Sequence, residues 1–447
     1  MIETVGEREL IEFVRGQRWF GAKSREVTHA RVLDSAVLRE AEPRFGIALL
    51  ELVYDTGVHD IYQLLWAERD GAVDLDGLAD PTLARELVHA MRAGLTLACG
   101  EGVLEFRPVE GFAGLGTELA NARAIESEQS NSSVVFDNEL ILKAFRRLEA
   151  GINPELELLR FLTEHGFENI AALGGWYAYA GMPMDTTLGV LQEFVSDGRD
   201  GWELALDELG EAPERFLARL RRLGVVTGRM HSVLGSDLGD PNFAPEEPSN
   251  ESLGLLTATV DEEIERIFLD LPADNASLEP ILGRGEEVRE HLRMLTHLGP
   301  VGRVIRHHGD FHLGQTLWAQ DDWVILDFEG EPARPLADRR RKRSPLRDVA
   351  GMLRSFAYAA SASELLRRKP APAGWEQRAR DEFLAGYREA VDPALLPPSE
   401  QSMLKLLTVY ELEKAVYELR YELDNRPDWV GIPVAGILRL LEETAAE

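Results

Sequence analysis

A single cysteine, Cys99, excludes an intrachain disulfide, and the apolar run around it marks core. Basic residues are scarce: Lys plus Arg is 48 against 78 Asp plus Glu, a formal net charge of −30. Such a surface repels nucleic acid and anionic membrane, so neither is an expected partner. Any polyanionic small molecule must then meet local positive charge or a metal. No apolar run approaches a membrane span, and the acidic start MIETVGERELIEFV lacks a signal-peptide pattern. The expected location is cytoplasmic. A G-x-G-x-x-G loop is also missing. What is present, 447 residues with 45% hydrophobic and 28% charged content, suffices for two or three folded units.

The most informative stretch runs from His307 to Pro335, HHGDFHLGQTLWAQDDWVILDFEGEPARP. Two acidic loops flank a short apolar run, Trp323-Val324-Ile325-Leu326, of the length of a buried strand. The first loop carries Asp310, with Gln315 five residues on; the second carries Asp327-Phe328-Glu329. Protein kinases use an Asp, an amide five residues later and a second Asp beyond a hairpin. One carboxylate meets the acceptor hydroxyl, while the amide oxygen and the other carboxylate hold magnesium on the nucleotide phosphates. A rival reading takes His307, His308, Asp310 and His312 as ligands of a hydrolytic zinc. It requires an extended segment for 308, 310 and 312 to share a face, whereas Gly309 and Gly314 point to a tight loop.

Upstream, Ser127 to Ser133 precedes Val134-Val135-Phe136, a turn at 137–139, and Leu140-Ile141-Leu142-Lys143. This strand, turn and strand suits a phosphate-covering hairpin followed by a lysine. With no glycine loop, Ser130, Asn131, Ser132 and Ser133 would supply the donors. Pro154 opens a helix with acids in its first turn, and Glu157 inside it is the expected ion-pair partner of Lys143. The apolar strand 188–195 is the expected hinge, where the backbone of Gln192, Glu193, Phe194 and Val195 would read a purine base.

HGDFHLGQ, ILDFEGEP and SPLRDVAGMLRSF together resemble the actinobacterial maltokinase family and its glucosamine-kinase relatives, from about Trp19 to Pro433. The resemblance implies an α+β, bilobal, aminoglycoside-phosphotransferase-like fold. It divides the chain into an N-terminal cap domain (1–85), a nucleotide-binding N-lobe (86–195) and a helical C-lobe (196–447). It also covers two departures from the general kinase pattern, Gln315 for the usual Asn and Glu329 for the Gly of D-F-G. The implied cofactors are ATP and Mg²⁺. Asp310 is then catalytic, and Gln315, Asp327 and Glu329 belong to the metal. His312 lies beside the acceptor.

The resemblance further implies that the helical stretch Tyr410 to Trp429 lines the acceptor pocket, where the residues alone read rather as a charged surface helix whose tyrosines pack on the core. Tyr410, Lys414, Tyr417 and Tyr421 share one face, and Glu411, Glu418 and Glu422 share the next. Asp424 and Trp429 complete the set, the indole as an apolar plate for a sugar. Carboxylates suit the ammonium of an amino sugar, and Asp424, standing where the resembled maltokinases tend to carry a basic residue, turns the resemblance toward glucosamine, phosphorylated at its 6-hydroxyl. Alternatives are maltose 1-phosphate formation, aminoglycoside phosphorylation and a non-catalytic nucleotide-binding scaffold. His231 reads as a buried structural histidine, Asp348 as core behind the active loops, and Arg339 to Arg343 as a solvated basic loop.

Overall fold

The computed structural model describes residues 2–116, 118–125, 131–272, 274–295, 301–332 and 334–445. The chain forms two compact units: residues 1–164 with 170–197, and residues 165–169 with 198–447.

The first unit is built on two antiparallel sheets. In the smaller, the strands Val27–Arg39, Arg44–Tyr54 and His59–Arg69 lie side by side, and Arg147–Leu148 pairs beyond the third. Gly57 supplies the positive φ, 78°, that the turn after Tyr54 requires. The long strand Val27–Arg39 carries scattered polar residues on an exposed face, and its period was not legible in sequence. Trp19 packs against Phe13 and Tyr62 in this core, with ring centroids 6.4 and 5.6 Å away.

The larger sheet has the order Thr96–Ala98, Gly102–Pro108, Leu173–Gly181, Thr186–Glu193, Leu140–Phe145, Asn131–Phe136, Ala122–Ile125. The turn predicted at 137–139 is a tight hairpin, with Asp137 and Asn138 both at positive φ. A buried polar joint ties the two sheets. The Gln63 amide donates to the carbonyls of Phe145 and Leu188, 2.8 Å each, and accepts from the Tyr177 hydroxyl at 2.9 Å.

The second unit is mainly helical. It contains helices Gly201–Glu211, Pro213–Leu234, Leu346–Arg367, Trp375–Ala390, Glu400–Asn425 and Gly431–Ala445 and a short sheet, on which the first two of these helices pack. In that sheet Thr316–Ala319 pairs with Asp322–Ile325, the strand predicted between the acidic loops. Helices Asn250–Leu269 and Gly285–Leu295 close an apolar core against Glu400–Asn425. The basic run is not simply solvated. Lys342 Nζ donates to the carbonyls of Pro241 and Ala244, 2.7 Å each, and Arg343 forms a backbone bridge to Ile305. Among the described residues, no helix is long and apolar enough to cross a membrane.

Candidate active site

In the first unit Lys143 stands on the strand Leu140–Phe145, and its ammonium meets a buried carboxylate at 2.8 Å. That carboxylate is Glu155, two residues before the Glu157 expected from the sequence. Residues two apart in a helix point to nearly opposite sides, and the Asn153 side chain caps the Glu155 amide at 2.8 Å. This fixes the phase of the helix Pro154–Glu164, inside which Glu157 is also buried.

Asn131, Ser132 and Ser133 belong to a strand rather than to the loop expected there, and pair with Phe145, Ala144 and Lys143. Ser132 Oγ accepts from the buried Arg146 at 2.8 Å. Ser130 lies outside the described residues. On the segment expected to be the hinge, the Glu193 N–H donates to Ala172 at 2.9 Å and the Phe194 N–H to Glu139 at 2.7 Å. Gln192 is within the sheet, paired with Ile141 and Leu173.

In the second unit the loop of Asp310 is held by its main chain. Asp348, fully buried at the start of Leu346–Arg367, accepts from the N–H groups of His308 and Gly309 at 2.8 and 2.9 Å. His231 Nε2–H also donates to Asp348, 3.1 Å, while its Nδ1 accepts from the Tyr387 hydroxyl at 3.0 Å. Burial works to raise the Asp348 pKa, yet the surrounding histidines, His307 first, hold it well below the usual carboxylate range. His231 is thus buried, as expected, and is also part of the loop's support. His308 Nε2–H donates to the Leu326 carbonyl at 2.8 Å, fastening this loop to the next one.

Gly309 has φ 88°, and a Cβ there would lie 3.3 Å from the Gly330 Cα. Gly309→Ala should therefore destabilise the protein by about 1–3 kcal/mol, from the left-handed backbone plus the contact. Urea unfolding would measure it, with at least a tenfold fall in turnover expected alongside.

Asp327 also has positive φ, 60°, and its Oδ2 accepts from the Gln315 amide at 3.0 Å. Asp327 and Glu329 bring carboxylate oxygens within 4.8 Å of each other. Two carboxylates and an amide are the oxygen donors a hard divalent cation takes. The zinc reading finds no converging site: among the described residues, His307, His308, Asp310 and His312 do not bring three ligand atoms within 4.8 Å of one another, and His308 Nε2–H is engaged by Leu326.

Asp310 opens on a cleft lined by His312, Tyr358, Lys414, Tyr417, Glu418, Tyr421, Glu422 and Arg426. Burial lowers the His312 pKa from its ordinary value, against the pull of Asp310. Lys414 Nζ is 3.3 Å from Asp310 Oδ1 and 3.3 Å from Glu331 Oε1. Burial would lower the Lys414 pKa, but these two acids raise it. Glu331 is pulled down to about 2: burial opposes the shift, and Lys414, Arg347 and Arg334 outweigh it. Glu418 is bound by Arg354 through two hydrogen bonds, 3.0 and 2.7 Å. Glu422 takes the Tyr358 hydroxyl at 3.1 Å and the Arg426 guanidinium at 2.6 Å.

Two expected acceptor residues, Glu411 and Asp424, lie elsewhere, Trp429 stands against two residues of the cleft wall, Tyr358 and Arg426, and Tyr410 lies deeper. Glu411 is clamped by Arg380 at 2.7 and 2.8 Å and by Arg439 at 3.0 Å. It shares a helical stripe with Glu418 but sits seven residues, about 10 Å, back along the axis. Asp424 is exposed and lines a different cleft with Arg266 and Arg420. Trp429 stacks on Tyr358 at 6.3 Å, outside the residues that line the Asp310 cleft. Tyr410 is buried and lines an inner cavity with Asp310, Glu413 and Glu263. Sequence reasoning missed Glu155, Glu331, Arg354 and the anchoring role of Asp348.

Residues 121–380 match the model of a phosphotransferase enzyme family, and residues 13–95 match the maltokinase N-terminal cap domain. A glucosamine kinase of Streptacidiphilus jiangxiensis is 27% identical over 350 residues, 75% of this chain and 76% of that protein. A glucosamine kinase of Mycolicibacterium smegmatis is 25% identical over 334 residues, 72% and 80% of the two chains. The structure of a glucosamine kinase in complex with glucosamine, ADP and inorganic phosphate superposes with TM-score 0.72 at 21% identity. It covers 96% of this chain and 98% of that one. The fold is the kinase-like α+β fold with an N-terminal cap that the motifs implied.

Proposed function

Because the chain belongs to the phosphotransferase enzyme family, we propose that it transfers the γ-phosphoryl group of ATP to the 6-hydroxyl of glucosamine. The observation that carries this reading is the cleft at Asp310, where the carboxylates of Glu418 and Glu422 stand among Tyr358, Tyr417 and Tyr421. Carboxylates take an ammonium and sugar hydroxyls in charge-assisted hydrogen bonds, and aromatic rings cover the apolar face of a pyranose. The curated relatives named above, both glucosamine kinases, support the choice of acceptor.

Asp310 accepts the proton of the attacking hydroxyl and aligns its oxygen. Gln315, Asp327 and Glu329 would hold magnesium, which neutralises charge on the phosphates when bound. Lys143, oriented by Glu155, is assigned to the ATP phosphates. With the Glu193 and Phe194 amides already engaged, the Val195 amide and the Glu193 carbonyl are assigned to adenine. His312, Lys414, Glu418, Tyr421 and Glu422 border the acceptor. The described acids of the cleft already have partners, so the ammonium must share Glu418 or Glu422 with an arginine. Discrimination by charge is correspondingly moderate.

Glucose lacks that charge-assisted hydrogen bond, about 1.5–3 kcal/mol, so its kcat/KM should be lower by roughly one to two decades. N-Acetylglucosamine, uncharged and bulkier, should be poor. The match to the maltokinase cap favours maltose as the second reading. Competition kinetics with the four sugars separate the two. If maltose wins and glucosamine is not turned over, the acceptor assignment is wrong.

A further inference from the structure

We infer that Lys414 is a positioning residue, which ties the Asp310 carboxylate to Glu331 and so lets the acceptor helix hold Asp310 in its reactive orientation. This rests on the kinase reading above and adds a part to it. Three separate segments meet at one ammonium. Asp310 comes from the first acidic loop, Glu331 from the second, and Lys414 from the helix Glu400–Asn425.

The arrangement is a fork, with both oxygens 3.3 Å from Nζ. That is longer than the 2.7–2.9 Å or so of a fully committed charged hydrogen bond. The Tyr417 ring lies 5.2 Å from the same ammonium and shields it on one side. Glu331 is itself fixed. It pairs with Arg334, which also reaches Glu413 at 3.5 Å, and Arg347 reaches Glu413 at 3.0 Å. Glu413 immediately precedes Lys414, so the chain of charges returns to the helix it started from.

Removing the lysine leaves two carboxylates facing one another across the space of a lost cation, and like charges at that range repel. Asp310 would then turn away, and the alignment of the attacking hydroxyl would go with it. A lysine that merely bound the acceptor would behave differently, since its loss would appear in KM. The two roles are therefore separable.

The test uses the full chain with Mg-ATP and the best acceptor among glucosamine, glucose and maltose. Lys414→Met should lower kcat by roughly 30- to 300-fold while the acceptor KM moves less than about threefold. Lys414→Arg should recover kcat to within about tenfold of wild type. On the Asp310→Asn background, Lys414→Met should cost less than about threefold more, because the two groups act as a unit. Glu331→Gln keeps shape and packing and should show the same kcat-selective loss at a smaller size, about 3- to 10-fold; it serves as the reading if Lys414→Met does not fold. A rise in acceptor KM at unchanged kcat, or full multiplication of the Asp310 and Lys414 effects, overturns the inference. Turnover of maltose or glucose alone overturns only the glucosamine assignment. No turnover of any sugar by wild type overturns the kinase reading and this inference together.

Discussion

Replacing Asp310 by Asn should lower turnover by about two to four orders of magnitude, the usual reach of a group that takes a proton in the transition state. The amide keeps the size of the side chain and loses both the proton acceptor and the charge that faces Lys414 at 3.3 Å. The nucleotide contacts assigned to Lys143, and the metal contacts assigned to Asp327 and Gln315, lie on other residues. The KM for ATP should therefore stay within a few-fold of wild type. A coupled ADP-release assay, run beside ATP binding by calorimetry, checks both halves. Near-normal turnover in the Asn variant would remove Asp310 from the chemistry.

Asp348→Ala should be nearly as damaging, through folding as well as rate. It removes the shared acceptor of two main-chain N–H groups and of His231, buried at His308 and His231 and half-buried at Gly309. Unsatisfied buried donors cost about 1–3 kcal/mol each, and breaking a buried charged network commonly costs about 3–5 kcal/mol in total. Turnover should fall by at least about a hundredfold, because the loop that aims Asp310 loses its anchor.

The pH dependence has a definite sign. The folded-state pKa of Asp348 lies below the unfolded value near 3.9. Its contribution is present in full above about pH 4 and fades as pH falls through the folded value. Glu331, pulled down to about 2, acts in the same direction. The stability gap between wild type and Asp348→Ala should be widest at pH 5–7 and narrow progressively toward pH 2. Urea unfolding across that range decides it; a gap independent of pH would contradict the assignment.

The parts of the site that were legible in sequence are those close together in the chain. Asp310, Gln315 and Asp327 lie on two loops joined by the short hairpin of Thr316–Ala319 and Asp322–Ile325, so spacing alone carried the geometry. The strand, turn and strand leading to Lys143 was readable for the same reason. Partnerships that depend on helix phase or axial distance were not. Finding Glu155 beside Lys143 requires knowing where the helix Pro154–Glu164 begins to turn. Separating Glu418 from Glu411 requires knowing which stretch of the helix Glu400–Asn425 borders Asp310. Asp348 was unreadable for a third reason. It contacts main-chain amides forty residues away, and a main-chain donor leaves no mark on residue identity.

The stripe of glutamates on Glu400–Asn425 also bears on how such an enzyme can change. Glu411 is pinned by Arg380 and Arg439, and Glu418 by Arg354. Rotating or sliding this helix would break these buried pairs together, so the backbone is in effect a fixed rail. Divergence toward a new acceptor must then proceed by exchanging the few side chains that face the cleft, such as Tyr421 and Glu422. A lineage can drift at those positions one substitution at a time while its scaffold stays constant, which makes acceptor preference cheap to alter and the register of the helix very hard to lose.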